Sequence, residues 1–183
     1  SHSVTDNTSA GFVSGKVGSE AKDFDGSDDF IQIDTQSTFS SIGSSSTDDY
    51  TYSMWIKTND GGNNWFISDR VPSGTKNRRC ELGINSDGSI DYNWGRVDGS
   101  TTVNNEIWHH VVLVVRGTNE YGYVDGNLDG SGSRPSDVSN TEIFMGSHLN
   151  DDGSLSGFFS GQIDDLRIYD RALSRPEIEA LYQ

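Results

Sequence analysis

Short stretches of strand-forming residues, separated by turn signals about 8–12 residues apart, constrain this chain more than any other feature. Tyr50–Thr58 (YTYSMWIKT) alternates, with Tyr52, Met54 and Ile56 on one face. Trp108–Val115 (WHHVVLVV) is the most apolar segment, which predicts a strand buried on both faces in the middle of a sheet. Many short strands of this kind favour a β-sandwich.

Two turns and one helix signal complete the pattern. Asn85–Gly88 and Asp125-Gly126 each supply the Asp-Gly step that gives a tight hairpin its positive φ values. Ser174 and Glu177 form a capping-box motif with Pro176 between them, which predicts one short helix over residues 175–182. We therefore expect an all-β, two-sheet antiparallel sandwich with one short C-terminal helix.

The length and residue content favour one folded domain. We expect a single unit over residues 1–183, with 1–14 as a lead-in segment whose Ser1-His2 start resembles a tag remnant. Four Trp, seven Tyr and eight Phe supply aromatic surface for a packed core. Since Cys80 is the one cysteine, no internal disulfide can form.

The chain is strongly acidic, and this charge makes negatively charged binding partners unfavourable. A net charge of −15 and a pI near 4.3 argue against nucleic acid and against an anionic membrane surface. The chain contains no run of 18 apolar residues, so no membrane insertion is expected. The same charge is compatible with divalent cations. The simpler alternative is a soluble, self-repelling surface.

Five blocks of sequence stand out for their order along the chain: Gly15-Lys16-Val17-Gly18 with Phe24–Phe30, then Tyr52–Lys57, Trp108–Val114, Tyr123–Gly126 and Phe159–Ser174. In this order they resemble the laminin G-like (LamG, pentraxin-like) family of concanavalin A-like jelly rolls. The resemblance implies two stacked antiparallel sheets, one of them concave. It also implies extracellular or cell-surface display, as a module of a secreted bacterial adhesin or polysaccharide-degrading enzyme.

The resemblance further implies a calcium site between the turn after Phe24 and the final strand. Carried over to this chain, its ligands are Asp25, the Gly26 carbonyl and Asp164, with Asp28 less strongly indicated. Calcium binds carboxylate and carbonyl oxygens, and a glycine turn exposes carbonyls. The alternative is that Asp25 and Asp28 accept backbone hydrogen bonds in an Asx turn. Asp29 opens the next strand and is expected to face water.

A second acidic turn precedes the last strand, at Asn150-Asp151-Asp152-Gly153. In relatives, the equivalent loop edge binds a metal that bridges to a ligand. Asp151 and Asp152 are therefore candidate ligand-binding residues, while the plainer alternative for the same residues is an ordinary turn.

Two tryptophans outside the family blocks are candidates for sugar binding. Trp65 follows two asparagines, and Trp94 lies in the polar stretch Tyr92–Arg96. Aromatic rings stack on the apolar faces of sugars, while amide and charged side chains satisfy the hydroxyl groups. The candidate contact residues are Trp65, Tyr92, Asn93, Trp94 and Arg96. Packing of these rings under loops is the open alternative, and Trp55 and Trp108 are read as mainly core.

The carboxylates do not form a catalytic pattern. Glycoside hydrolysis needs two carboxyl groups that face one cleft, and Glu81 and Glu106 stand alone in the sequence. We therefore expect a non-catalytic, calcium-stabilised module that binds carbohydrate. The alternative is a structural or protein-binding LamG-like module that recognises a cell-surface protein and has no affinity for sugars.

Overall fold

The strand-rich prediction is confirmed by a computed structural model, which describes residues 4–7, 11–33, 48–70, 78–93, 95–134 and 142–183. These residues form strands β1 to β16 and one helix, α1. In chain order they are β1 (Val4–Asp6), β2 (Phe12–Ser14), β3 (Glu20–Asp25), β4 (Ile31–Ile33), β5 (Tyr50–Lys57), β6 (Asn64–Arg70), β7 (Arg78–Ile84), β8 (Ser89–Tyr92), β9 (Val97–Thr102), β10 (Trp108–Arg116), β11 (Asn119–Val124), β12 (Asn127–Ser133), β13 (Glu142–Met145), β14 (His148–Leu149), β15 (Leu155–Ser156), β16 (Ser160–Tyr169) and α1 (Arg175–Tyr182).

Two antiparallel sheets of seven strands each form a sandwich, as predicted. Sheet I has the order β1-β4-β13-β6-β7-β8-β9, and sheet II has the order β12-β11-β10-β5-β16-β3-β2. A third, two-stranded sheet consists of β14 and β15. The helix α1 has the bounds that the capping box predicts, and no helix in the described ranges is both long and apolar enough to cross a membrane.

The apolar segment that starts at Trp108 takes the central position that its sequence predicts. In sheet II, β10 pairs with β5 on one side and with β11 on the other. Val111, Leu113 and Val115 face the interior between the sheets, whereas Val112 and Val114 pack against Leu173 and other residues at α1. The strand is therefore buried on both faces, because the helix covers its outer side.

Two parts of the lead-in segment form strands that the sequence pattern does not indicate. Its described residues include β1 and β2, which form one edge of sheet I and one edge of sheet II. Both strands are three residues long, and such short strands carry too little alternation for a sequence pattern to show. Their partners supply the order, since β1 pairs with β4 and β2 pairs with β3.

The two hairpins form at the predicted turns. Asp125 and Gly126 take φ values of 51° and 76°, which is the left-handed pair that a type I′ turn requires between β11 and β12. The Asn85–Gly88 turn joins β7 and β8 and has Gly88 at a φ of 83°. The turn residues therefore set β11 beside β12 in sheet II and β7 beside β8 in sheet I.

Alternation along β7 decides what sheet I presents to the outside. Cys80, Leu82 and Ile84 point into the core, so Glu81 and Gly83 lie on the outer face. The small β14–β15 sheet lies over this face and contacts β6. Its presence explains why Glu81 is fully buried although it points away from the core.

Candidate functional site

A cleft of about 570 Å³ opens on the outer side of sheet I, between β6, β7, β8 and the β14–β15 sheet. Three side-chain amides and one hydroxyl contribute to its lining, together with an indole, an imidazole and a carboxylate. The lining residues are Asn63, Asn64, Trp65, Gly83, Ile84, Asp91, Gly95, His148, Asn150, Ser156 and Gly157. This volume lies within the range of small-molecule sites and is large enough for one to a few sugar residues. Hereafter it is called the Trp65 cleft.

Trp65 forms a wall of the cleft and is only 7% exposed. Its ring lies 5.4 Å from the ring of His148 and is flanked by two glycines. A Cβ at Gly83 would stand 2.9 Å from the indole, and one at Gly157 would stand 2.6 Å from it. The glycines therefore make room for the indole, which is too deeply buried to present an open stacking face.

His148 links the cleft to a buried carboxylate. Its Nε2 lies 3.1 Å from Oε1 of Glu81, and its Nδ1 lies 3.2 Å from Oδ1 of Asn150. Both His148 and Glu81 are buried. This chain of contacts fixes the imidazole and the Asn150 amide side by side in the lining of the cleft.

Asn93 extends the same network beneath the cleft. Its Oδ1 accepts the Glu81 N–H at 2.7 Å, and its Nδ2 donates to Oε1 of Glu120 at 2.8 Å. Burial raises the pKa of Glu120 to about 7, although the Asn93 amide and the charges of Arg96 and Arg134 oppose that rise. Glu120 is fully buried between the sheets.

The structure brings together the region predicted for sugar contact, but not every predicted side chain. Tyr92 is fully buried, and its hydroxyl donates to Oδ2 of Asp129 at 3.2 Å. Asn93 is 1% exposed, and both polar atoms of its side chain are already hydrogen-bonded, to Glu81 and Glu120. A buried side chain presents no surface to a ligand, so the predicted contact role does not fit Tyr92 or Asn93. Tyr92 faces the core because β8 continues the alternation of Ile90, which is a core residue. Asn93 follows the end of β8 with a φ of 56° and is held inside by its hydrogen bonds to Glu81 and Glu120.

The remaining predicted contact residues differ in position. Trp65 lines the cleft, whereas Trp94 lies outside the described residues. Arg96 is half-buried and lies close enough to Glu120 to lower the pKa of that carboxyl group. The sequence search missed Asn64, Asp91 and Asn150 as lining residues. Each is adjacent in sequence to a predicted residue, namely Trp65, Tyr92 or Asp151. The sequence therefore indicated the right part of the chain but not these three side chains.

Asp151 and Asp152 lie in the exposed turn that joins β14 to β15 beside the cleft. Oδ1 of Asp152 accepts both the N–H and the hydroxyl of Ser154, at 2.9 and 2.6 Å. These hydrogen bonds lower the pKa of Asp152. This is the geometry of an Asx turn, the plainer of the two alternatives that the sequence left open.

An acidic cluster lies at the turn between β3 and β4. One carboxylate oxygen each from Asp25, Asp28 and Asp29 lie within 4.8 Å of one another. Oxygens bound to calcium lie about 2.3–2.6 Å from the ion, so two of them on opposite sides are about 5 Å apart. Three hard oxygen donors at this spacing could hold a metal ion.

Asp164 does not belong to this cluster. Ser160 pairs with Asp25, and Asp164 lies four residues further along β16, which is roughly 13 Å at strand spacing. Its Oδ2 accepts the N–H groups of Lys16 and Val17, both at 2.8 Å. The carboxylate therefore holds the Gly15–Gly18 turn against the last strand. The predicted role of Asp164 as a shared calcium ligand does not fit this geometry.

Asp29 was expected to face water and is instead fully buried. Its Oδ2 accepts the Asp25 N–H at 3.0 Å, while Oδ1 of Asp25 accepts the Ser27 N–H at 2.7 Å. The backbone hydrogen bond that the Asx alternative expects at Asp25 is thus present within the same turn that assembles the three carboxylates. Gly26 takes a φ of 78°, which the turn requires.

Comparison with known families agrees with the architecture. The model of the concanavalin A-like lectin/glucanases superfamily, Laminin_G_3, matches residues 25–179. A comparison with curated proteins finds no match.

Several solved structures share the fold at low sequence identity. The binding domain of Paraclostridial Mosquitocidal Protein 1 has a TM-score of 0.72 and 19% identity, and the match covers 98% of this chain and 47% of that one. Domain 4 of AbnA, an extracellular GH43 arabinanase from Geobacillus stearothermophilus solved with arabinotriose, has a TM-score of 0.69 and 20% identity, covering 100% and 88%. The receptor-binding domain of a botulinum neurotoxin C/D mosaic has a TM-score of 0.69 and 16% identity, covering 99% and 46%. The chain thus spans about half the length of the two toxin domains.

Proposed function

Because the chain belongs to the concanavalin A-like lectin/glucanases superfamily, we propose that it is a non-catalytic carbohydrate-binding module of a secreted or cell-surface bacterial protein. The observation that carries the proposal is the Trp65 cleft, in which fixed amide and hydroxyl groups converge at the rim of a buried aromatic ring. A similar domain, that of the extracellular arabinanase, was solved with an oligosaccharide.

The lining of the cleft favours an uncharged sugar. Asn63, Asn64 and Asn150 offer both donors and acceptors, which is what sugar hydroxyl groups require. Among the described lining residues, Asp91 is the one carboxylate, and there is no lysine or arginine. A uronic or sialic acid would therefore meet negative charge without a cationic partner, in a chain whose net charge is already −15.

The same lining supports binding without catalysis. Hydrolysis of a glycosidic bond uses two carboxyl groups on either side of the bond. Asp91 faces the cleft, whereas Glu81 lies fully buried behind His148. The cleft therefore presents one carboxylate to a bound sugar.

A glycan array tests the function. The chain is expected to bind neutral oligosaccharides, arabinotriose included, and to ignore sialylated and uronic acid glycans. Asn63 is exposed on the cleft rim, so Asn63→Arg places a long charged side chain across the opening and should abolish the signal. Asn119→Arg makes the same change at an exposed position on sheet II and should leave it intact. If Asn63→Arg still binds neutral glycans, the Trp65 cleft is not the sugar-binding site.

The second candidate function is recognition of a protein. Two of the similar structures are toxin domains described as binding or receptor-binding domains. A blank array together with a cell-surface protein recovered in complex with the chain would favour this alternative. In that case Asn63→Arg should not affect the complex unless the protein also docks at the cleft.

We also propose that calcium occupies the acidic cluster and stabilises the fold. Asp25, Asp28 and Asp29 would supply carboxylate ligands, and the Gly26 carbonyl remains a candidate fourth ligand. Calcium would neutralise carboxylates that otherwise repel one another within 4.8 Å. Addition of calcium to EDTA-treated protein should raise the melting temperature by several degrees, and Asp28→Asn should reduce that rise. The proposal fails if calcium leaves the melting temperature unchanged.

A further inference from the structure

A second cleft, of about 470 Å³, opens on the outer face of sheet II. The Trp65 cleft opens on the outer face of sheet I, so the two clefts lie on opposite sides of the sandwich. Its floor contains Asp23, Gln162 and Lys57, from the adjacent strands β3, β16 and β5. Gln162 pairs directly with Asp23 on one side and with Lys57 on the other. Residues opposite one another in a sheet project from the same face, so the three side chains form one row.

The polar side chains of this row lack hydrogen-bonding partners among the described residues. Within the described part of the chain, none of these three side chains makes a hydrogen bond or an ion pair, although each is half-buried. Asp23 and Lys57 are two strands apart, about 10 Å, and this spacing is too long for an ion pair. A carboxylate, an amide and an ammonium group therefore keep their full hydrogen-bonding capacity toward whatever enters the cleft.

The rim of this cleft is held in a strained conformation. Glu106 has a φ of 62°, which is unfavourable for a residue with a Cβ. Its N–H donates to the Thr58 carbonyl at 2.9 Å, and its Oε1 accepts Nδ2 of Asn59 at 2.8 Å. These bonds hold the β9–β10 loop against the β5–β6 loop at the mouth of the cleft. Local strain of this kind is concentrated at functional sites.

An aromatic ring extends the row by one strand. Trp108 on β10 pairs with Lys57, so its side chain projects from the same face, and it is half-buried. The sequence placed Trp108 mainly in the core, whereas alternation along β10 directs it outward, since Val111 and Leu113 point inward. Across β3, β16, β5 and β10, the row therefore presents in order a carboxylate acceptor, an amide, an ammonium donor and an indole ring.

We propose that this row, Asp23–Gln162–Lys57–Trp108, is a second saccharide-binding site that acts independently of the Trp65 cleft. The proposal rests on the carbohydrate-binding function proposed above and adds a site on the opposite sheet. Sugar hydroxyls both donate and accept, so they match a row that contains both kinds of group, and the indole stacks on a sugar ring. Asp23, Asp25 and Glu106 outnumber Lys57 as charged lining groups, which favours an uncharged sugar over an anionic one.

Backbone amide shifts in a nuclear magnetic resonance titration locate each site separately. The probes are arabinotriose, xylotriose, cellotriose and maltotriose, each at millimolar concentration with calcium present. We expect one or more probes to shift the amides of Asp23, Lys57 and Gln162, both in the native protein and in Asn63→Arg. The double variant Lys57→Ala/Gln162→Ala should weaken that response by about tenfold or more, since it removes two hydrogen-bonding groups. Asn119→Ala, which removes an exposed amide elsewhere on sheet II, is the matched control.

The possible results separate the two sites. Shifts at the row that persist in Asn63→Arg and are lost in the double variant support the second site, even if the Trp65 cleft stays silent. Shifts confined to Trp65 and His148 overturn the second site and leave the proposed function standing. Silence at both regions with all four probes overturns the second site and removes the support for neutral-sugar binding as well. The melting temperature of the double variant should match that of the control, so that loss of binding is not loss of fold.

Discussion

The two clefts of this molecule hold their polar groups in opposite ways. In the Trp65 cleft, His148 is fixed by Glu81 and Asn150, and Asn93 ties the same network to Glu120. In the row on sheet II, Asp23, Gln162 and Lys57 have no partner among the described residues. The first cleft is organised before a ligand arrives, whereas the second must order three long or flexible side chains as it binds.

The difference has an energetic consequence. Immobilising a flexible side chain on binding costs about 0.5–1.5 kcal/mol, and a site held by its own network avoids most of that cost. The Trp65 cleft should therefore bind more tightly and tolerate substitution less well. The row on sheet II should bind more weakly, and its side chains should be replaceable without harm to the fold.

Replacement of the two tryptophans should give the largest contrast. Trp65 is 7% exposed and is packed between two glycines and His148, so Trp65→Ala should lower the free energy of unfolding by about 3–5 kcal/mol. Trp108 is half-buried at the start of its strand, so Trp108→Ala should cost about 1–2 kcal/mol. Urea unfolding measures both values. Equal losses of unfolding free energy in the two variants would mean that Trp65 is no more tightly packed than Trp108.

Glu120 offers a test of the network under the Trp65 cleft. The pKa of this carboxyl group rises from 4.5 to about 7 in the folded state, so the folded chain holds its proton more tightly than the unfolded chain does. Its contribution to stability is therefore fully present below pH 4.5 and is lost as pH rises through 7. Glu120→Gln should stabilise the protein by up to about 3 kcal/mol at pH 8 and have little effect near pH 4.

Thermal unfolding across that pH range measures the effect of Glu120→Gln. Glu20→Gln, at an exposed position on β3, is the control and should show no such pH-dependent gain. A gain in Glu120→Gln that is the same at pH 4 and pH 8 would contradict the view that burial of a charge is its cause.

Gln162→Ala should give the smallest effect on stability. The amide has no partner among the described residues, so its removal should change the free energy of unfolding by less than about 0.5 kcal/mol. A larger loss in urea unfolding would show that Gln162 supports the fold, and the contrast between the two clefts would then disappear.

The sequence predicted the parts of this fold that depend on local pattern. The buried strand from Trp108, both Asp-Gly hairpins and the helix over residues 175–182 follow from alternation, turn chemistry and capping. Contacts between distant residues could not be predicted in this way. Asp23, Lys57 and Gln162 are brought side by side by strand register, which no local pattern encodes.

The errors at the candidate sites have the same origin. Asp164 was grouped with Asp25 because both lie in family blocks, but four residues of strand separate it from the pairing partner of Asp25. Tyr92 was expected to contact a ligand because its neighbours are polar, yet its strand turns it toward the core. Asp29 is buried although the residues around it are polar. In each case the tertiary position of the residue differs from what its neighbours in sequence indicate.

The central claim is that the Trp65 cleft binds an uncharged sugar, and a crystal structure with a bound oligosaccharide tests it most directly. Arabinotriose, or the strongest neutral ligand found on the array, would be soaked into crystals in which the cleft is free of lattice contacts. A sugar residue is expected within hydrogen-bonding distance of Asn64, Asp91 or Asn150 and in contact with Trp65. A sugar bound only elsewhere on the molecule, with this cleft empty, would contradict it.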